Sequence, residues 1–289
     1  MTIPRLNSLI RELVAGKAAM ASFCPPTIDG AIAFSTTQYD GVVIETEHQI
    51  WDGTALRDTL QYLLNRRQIA LSGSIASPVT PIVRIPANGA EMNQWMAKQA
   101  LDLGAYGIIW PHVSTVAQAY AAVAACRYPR LKGKALYEPF GQRGDGPTAA
   151  VRYWGLTQQE YYQRADVWPL NPDGELLIML MIEDIEGIGN LRDILANVPG
   201  IGAVLIGEGD LSQELGFPRQ YEHPEVLDAM RQIVSICQEF KVTVGHPHVE
   251  MSNVQRVHDE GYRFLISAPS RSYPTLEKAR EIAGRPSKR

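Results

Sequence analysis

Short apolar runs alternate with segments of helical period along the chain. Ala18–Phe23, Gly41–Ile44, Pro81–Ile85, Tyr106–Trp110, Leu176–Ile182, Gly202–Ile206, Val242–Gly245 and Phe264–Ser267 read as eight strands. Their β-branched and small apolar residues continue with little polar interruption, as in strands buried on both faces. Amphipathic stretches lie between them. Thr54–Arg66 carries Leu56, Leu60, Leu63 and Leu64 on one face. Asn88 can cap a helix bearing Met92, Trp95 and Met96, and Ser114 can cap the alanine-rich stretch to Arg127. Glu186–Asn197, Pro224–Phe240, Glu250–Glu260 and Thr275–Ile282 supply the rest, with Pro224 suited to a first turn. This alternation predicts an α/β fold, a (β/α)8 TIM barrel with a parallel eight-stranded sheet, rather than an open doubly wound sheet. One domain is expected over residues 1–289, with its core at about 17–270.

The segment between Arg127 and Leu176 breaks the rhythm. It is rich in Gly, Pro and aromatics, notably Tyr137-Glu138-Pro139-Phe140-Gly141-Gln142-Arg143-Gly144-Asp145-Gly146-Pro147. A connection this long is usually functional or disordered. Phe140, Tyr153, Trp154, Tyr161 and Tyr162 argue against disorder. It reads as a long loop insertion after strand four, an ordered active-site cover with a helix near Thr157–Ala165. A surface excursion that packs a subunit contact is the alternative.

Acidic and basic side chains gather at the carboxyl ends of the expected strands. Strand five ends in Glu183. Strand six runs into Ile206-Gly207-Glu208-Gly209-Asp210-Leu211-Ser212, where glycine permits a sharp turn and places Asp210 on a loop. Two successive strand ends bearing carboxylates suit a hard divalent cation. The alternative is a helix cap at Asp210 and a solvated strand end at Glu183. Strand two ends Ile44-Glu45-Thr46-Glu47-His48, where a carboxylate can fix the tautomer of a general base. Strand three carries Val83-Arg84-Ile85-Pro86, an arginine that needs an anionic partner. His112 closes strand four. Gly245-His246-Pro247-His248 closes strand seven, with Pro247 holding it extended so that the two histidines share a direction. Each histidine alone is as readily a structural or substrate-shaping residue. Their convergence at one barrel rim is the stronger signal.

Composition narrows the classes. Of 289 residues, 45% are hydrophobic and 20% charged, and the formal net charge is −4, so no basic field for nucleic acid is present. Cys24, Cys126 and Cys237 have no CxxC or zinc spacing, which suggests reduced thiols in a cytoplasmic protein. Arg5, Arg11 and Glu12 interrupt the N-terminal stretch, so a signal peptide is not expected there. Leu176–Ile182 is too short to span a membrane. Lys98, Lys132, Lys134 and Lys241 avoid the expected strand ends, which disfavours Schiff-base chemistry.

The series Ile44-Glu45-Thr46-Glu47-His48, Val83-Arg84-Ile85-Pro86, Gly141-Gln142-Arg143-Gly144, Ile182-Glu183 and Ile206–Ser212 resembles the HpcH/HpaI family of metal-dependent pyruvate aldolases. Tyr128-Pro129 and His223-Pro224-Glu225-Val226 add to the resemblance, which runs from about Gly41 to Ala268. It implies a carbon–carbon lyase acting on a 2-oxo acid and an aldehyde, with oxaloacetate decarboxylation as a further reaction. A homo-oligomer, trimer or hexamer, is implied, in which the C-terminal helix at about 273–284 meets a neighbour. Glu183 and Asp210 would bind a divalent cation, Mg2+, Mn2+ or Co2+. Arg84 would contact the keto oxygen, His48 would be the base and Glu45 would orient it. Backbone N–H groups of Gly209 and Asp210 would hold the carboxylate. Arg143 and His112 are further substrate-binding candidates, with the aldehyde under the Gly141–Pro147 loop. Glu45 stands where the family usually has Asp, and Met181 where it usually has Gln. The Ala165–Leu176 connection looks longer than usual. A CoA-ester lyase of the citrate-lyase β or malyl-CoA type, an enolate-using enzyme of the macrophomate synthase type, and a non-catalytic 2-oxo-acid-binding protein are the alternatives.

Overall fold

A computed structural model of the protein describes residues 4–86, 89–268 and 273–286. Eight parallel strands form the barrel: β1 (Ala19–Cys24), β2 (Gly41–Glu45), β3 (Thr80–Arg84), β4 (Gly107–Trp110), β5 (Leu176–Ile182), β6 (Ala203–Ile206), β7 (Thr243–Val249) and β8 (Phe264–Ser267). Each pairs with the next, and β8 returns to β1 with Phe264 opposite Ala19. The β4–β5 step is direct, Gly107 opposite Leu177. All eight expected strands are present.

Strand alternation divides the core in two. Ala19, Ala21, Val43, Ile82, Ile109, Leu177, Met179, Ala203, Leu205, Phe264 and Ile266 fill the barrel interior. The intervening residues, among them Val42, Ile44, Val83, Ile108, Ile178, Leu180 and Val204, pack outward with the helices. Leu9 and Ile10, on the helix Ser8–Val14, join the interior cluster and plug its amino-terminal end. Asn7 caps that helix and donates from Nδ2 to the carbonyls of Tyr106 and Glu175, just ahead of β4 and β5.

The segment after β4 lies at this same amino-terminal end. It carries the helices Thr148–Trp154 and Gln158–Arg164 and a two-residue strand, Val167–Trp168, paired with β5. Trp154 stacks on Tyr106 at 4.2 Å and donates from Nε1 to the Gly104 carbonyl at 2.9 Å. Buried Arg127 joins its two ends by donating to Asp166 and the Pro139 carbonyl. The expected active-site cover is therefore at the other rim of this chain. The cause is connectivity: the preceding helix, Val116–Ala125, has already carried the chain back from the carboxyl end of β4.

Several local expectations shift. Thr115, not Ser114, caps Val116–Ala125 in a capping box with Gln118, while Ser114 Oγ donates to Asp184. Asn88 lies outside the described residues. Met92 precedes its expected helix, which starts at Gln94. On the C-terminal helix, Pro274–Ile282, Arg280 donates to the Gln38 carbonyl at 2.6 Å. Cys24, Cys126 and Cys237 are free and buried. Among the described residues no helix is long and apolar enough to cross a membrane.

Candidate active site

The inward parity of the strands aims the site. Leu177, Met179 and Met181 face the interior of β5, and Glu183 follows two residues on. Val43 and Ile82 set the same parity for Glu45 and Arg84 at the ends of β2 and β3. The β2–β3 register places those two side by side. Arg84 Nε and Nη2 lie 2.6 and 2.5 Å from Glu45 Oε2. The other Glu45 oxygen accepts from the backbone N–H groups of Glu47 at 2.8 Å and His48 at 3.2 Å. Glu45 thus fixes the arginine and the turn, and does not hold the imidazole as expected. A parallel partner one strand away competes successfully for the longer glutamate arm.

Glu47 is the carboxylate beside the base. Its Oε2 lies 3.0 Å from Arg84 Nη1 and 3.6 Å from His48 Nε2. Burial raises its carboxyl above the ordinary range, against the opposing pull of Arg84 and His48. The Arg84 guanidinium also covers the Phe23 ring at 5.0 Å, and its Nη1 is 3.9 Å from Met181 Sδ. The sequence motif contained Glu47 but not its division of labour with Glu45.

Glu183, Asp210 and His112 each offer a ligand atom, all within 4.8 Å of one another. His112 was expected to touch substrate; its place in this cluster comes from a left-handed backbone, φ 48°, that turns it out of strand parity. Its N–H donates to Glu183 Oε1 at 2.5 Å. Burial pushes the Glu183 carboxyl up to about 7, with His112 pulling it down. Gly207 makes room for it, because a Cβ there would fall 2.0 Å from Glu183 Oε2. Two carboxylates and an imidazole are a chemically suitable donor set for Mg2+, Mn2+ or Co2+. Asp210 lies within a seven-residue helix, Glu208–Glu214, rather than on a loop. The first-turn N–H groups of such a helix, Gly209 and Asp210 among them, lack intrahelical acceptors.

A cavity of about 290 Å3 brings His48, Arg84, Met181, Glu183, Gly209 and Asp210 together. Glu208, Arg219, Tyr221 and His248 line this cavity and also a neighbouring one of about 520 Å3.

The model of the HpcH/HpaI aldolase/citrate lyase family matches residues 28–268. The chain belongs to this family. It is thereby one of a group of enzymes that make and break carbon–carbon bonds. Among HpcH/HpaI relatives, the hydroxypyruvate/pyruvate aldolase of Roseobacter denitrificans is 30% identical over 230 residues, 80% of this chain and 77% of its own length. The 2-keto-3-deoxy-L-rhamnonate aldolase of Salmonella gallinarum is 32% identical over 207 residues, 70% of this chain and 66% of its own. An HpcH/HpaI family structure from Burkholderia cenocepacia has a TM-score of 0.74 at 24% identity, covering 95% of this chain and 97% of that one, which speaks for the shared fold.

Of the site candidates, Glu45 and His112 bind residues that line the cavity without lining it themselves, and Arg143 lies apart from it. Arg143 is fully buried, donating from Nη2 to Asp102 Oδ1 at 2.8 Å and to Tyr161 at 2.7 Å, and stacked over Tyr128. It is not gathered with the other candidates in this chain. In its place are residues the motifs did not single out for the site, Glu208 and Tyr221. His246 and His248 do share a direction as Pro247 suggested, and both reach Glu208: His246 Nε2 is 3.7 Å from it, and His248 Nδ1 hydrogen-bonds to it.

Proposed function

We propose that this chain is a divalent-metal-dependent aldolase that joins and separates a pyruvate-type 2-oxo acid and an aldehyde. The observation that carries this reading is the convergence of Glu183 and Asp210 with Arg84 and His48 on one cavity, with His112 clustered on the two carboxylates. The named activities of the two curated relatives support it.

The chemical difficulty is the enolate, whose negative charge collects on the C2 oxygen. A divalent cation held by Glu183 and Asp210, with His112 as a further ligand, supplies Lewis acidity for that oxygen. Arg84 adds charge-assisted hydrogen bonds to it from a guanidinium already positioned by Glu45 and Glu47. The N–H groups of Gly209 and Asp210 bind the 2-oxo acid carboxylate. His48 removes a proton from C3, and Glu47 stabilises the imidazolium that results. Decarboxylation of oxaloacetate reaches the same enolate by loss of CO2, without breaking a C–H bond.

A cleavage and decarboxylation screen with pyruvate detection, run on chelator-treated protein with and without Mg2+, Mn2+ or Co2+, tests the reading. Metal-restored pyruvate release from a 4-hydroxy-2-oxo acid is expected. Full activity in metal-free protein, or none with any 2-oxo acid, would contradict it.

A further inference from the structure

Glu208 and His248 form a carboxylate–imidazole pair that none of the steps above uses. Glu208 is 2% exposed, and its carboxylate is bound to His248 Nδ1. A carboxylate can only accept, so Nδ1 carries the proton of that bond and Nε2 is left as the working nitrogen. One ring face and the His248 backbone are held as well. Tyr221 stacks on it at 5.6 Å with the planes 13° apart. The His248 backbone N–H donates to His246 Nδ1 at 3.2 Å, and the His248 backbone carbonyl accepts from Asn253 Nδ2 at 2.9 Å. The His248 side chain nevertheless remains 53% accessible. It is both oriented and reachable.

Its location gives the pair a task. His248 lines the cavity of Glu183, Asp210, Arg84 and His48, and also the adjoining cavity of about 520 Å3. An enolate in the first cavity must meet an aldehyde whose remaining atoms need space beside it. The second cavity is the adjoining space, and His248 stands on the boundary where the aldehyde carbonyl would lie. His48, in the turn after β2, lines only the first.

We infer that His248, positioned by Glu208, is the acid–base group for the aldehyde oxygen. This rests on the aldolase reading above. In cleavage, His248 Nε2 takes the proton of the C4 hydroxyl. The C4–O bond becomes the aldehyde carbonyl, the C3–C4 bond breaks, and its electron pair passes to C2 and its oxygen as the enolate. Glu208 stabilises the imidazolium. In addition, C3 of the enolate attacks the aldehyde carbon, the carbonyl electron pair moves to oxygen, and the imidazolium returns the proton. His48 handles the C3 proton in a separate step, so the two histidines serve different atoms.

The test separates those atoms. Wild-type, His248→Ala and Glu208→Gln proteins, all loaded with Mn2+, are compared in pyruvate C3 hydrogen–deuterium exchange and in cleavage of 4-hydroxy-2-oxopentanoate. His248→Ala is expected to keep exchange within about threefold while cleavage falls roughly 10²–10⁴-fold, the usual scale for a lost acid–base group. Added imidazole should restore part of the cleavage rate, which a purely structural role would not allow. Glu208→Gln should weaken cleavage more than exchange. Retained cleavage in His248→Ala, or equal loss of both reactions, would overturn the assignment of His248 while leaving the aldolase reading intact. Absence of both reactions in the wild-type protein would overturn the two together.

Discussion

Glu45 and Arg84 are opposite one another in the β2–β3 ladder, and the carboxylate takes two of the guanidinium's N–H groups at 2.6 and 2.5 Å. Glu47 sits 3.0 Å from a third nitrogen. The arginine is thus oriented before any substrate arrives. Arg84→Ala should leave the fold intact and lower pyruvate turnover roughly 10²–10³-fold, the scale of one lost oxyanion donor. Arg84→Lys should rescue little, because an ammonium cannot reproduce the planar fork. Steady-state kinetics with circular dichroism checks this; near-normal turnover would make Arg84 a structural ion-pair residue only.

Gly207 is required by the carboxylate next to it. A methyl group at this position would meet Glu183 Oε2 at 2.0 Å and Glu183 Cβ at 2.4 Å. Gly207→Ala should displace Glu183 and weaken Mn2+ binding at least tenfold by calorimetry. The neighbouring Gly209 meets nothing within 4 Å, so Gly209→Ala should retain Mn2+ affinity. Equal affinities in wild type and Gly207→Ala would mean that Glu183 does not hold the ion.

The base and the metal pair separate by choice of reaction. His48→Ala should severely impair pyruvate C3 exchange and spare more of oxaloacetate decarboxylation, which breaks no C–H bond. Glu183→Gln should abolish both. Equal loss of both reactions in His48→Ala, with Mn2+ affinity preserved, would show that His48 positions the substrate instead.

His246 is 5% exposed, and burial lowers its pKa to about 4, against the pull of Glu208. The unfolded chain, with an ordinary value near 6.5, takes up this proton first as pH falls. The neutral buried form therefore contributes stability above about pH 6.5, on the order of 3 kcal/mol, that is lost progressively down to about pH 4. Urea unfolding at pH 7.5 and pH 4.5 should show a smaller loss of stability in His246→Gln than in wild type. Identical losses would contradict this.

All eight strands were legible because each is a short apolar run without a persistent polar face. The strand-end residues followed from the barrel, since its parity and rim position bring Glu45, Arg84 and Glu183 inward whatever their partners. The partners were less legible. Glu45 was expected to serve His48 through sequence proximity, yet the ladder register gives it Arg84. His112 joined the carboxylates through a left-handed backbone that no residue pattern announces. Glycines and aromatics marked the Arg143 segment as ordered but not its rim. Its position after a returning helix held that information. Ser8–Val14, Thr148–Trp154 and Glu208–Glu214 are seven residues each, too short for a helical period to stand out.

Glu183 and Asp210 are proposed to hold the divalent cation on which pyruvate enolisation in this cavity depends. Deuterium exchange at pyruvate C3, followed by NMR in chelator-treated wild-type protein before and after Mg2+ addition, and in Glu183→Gln, tests it most directly. The expected result is negligible exchange without cation, recovery on addition, and no recovery in Glu183→Gln. Exchange at the same rate in all three would contradict it.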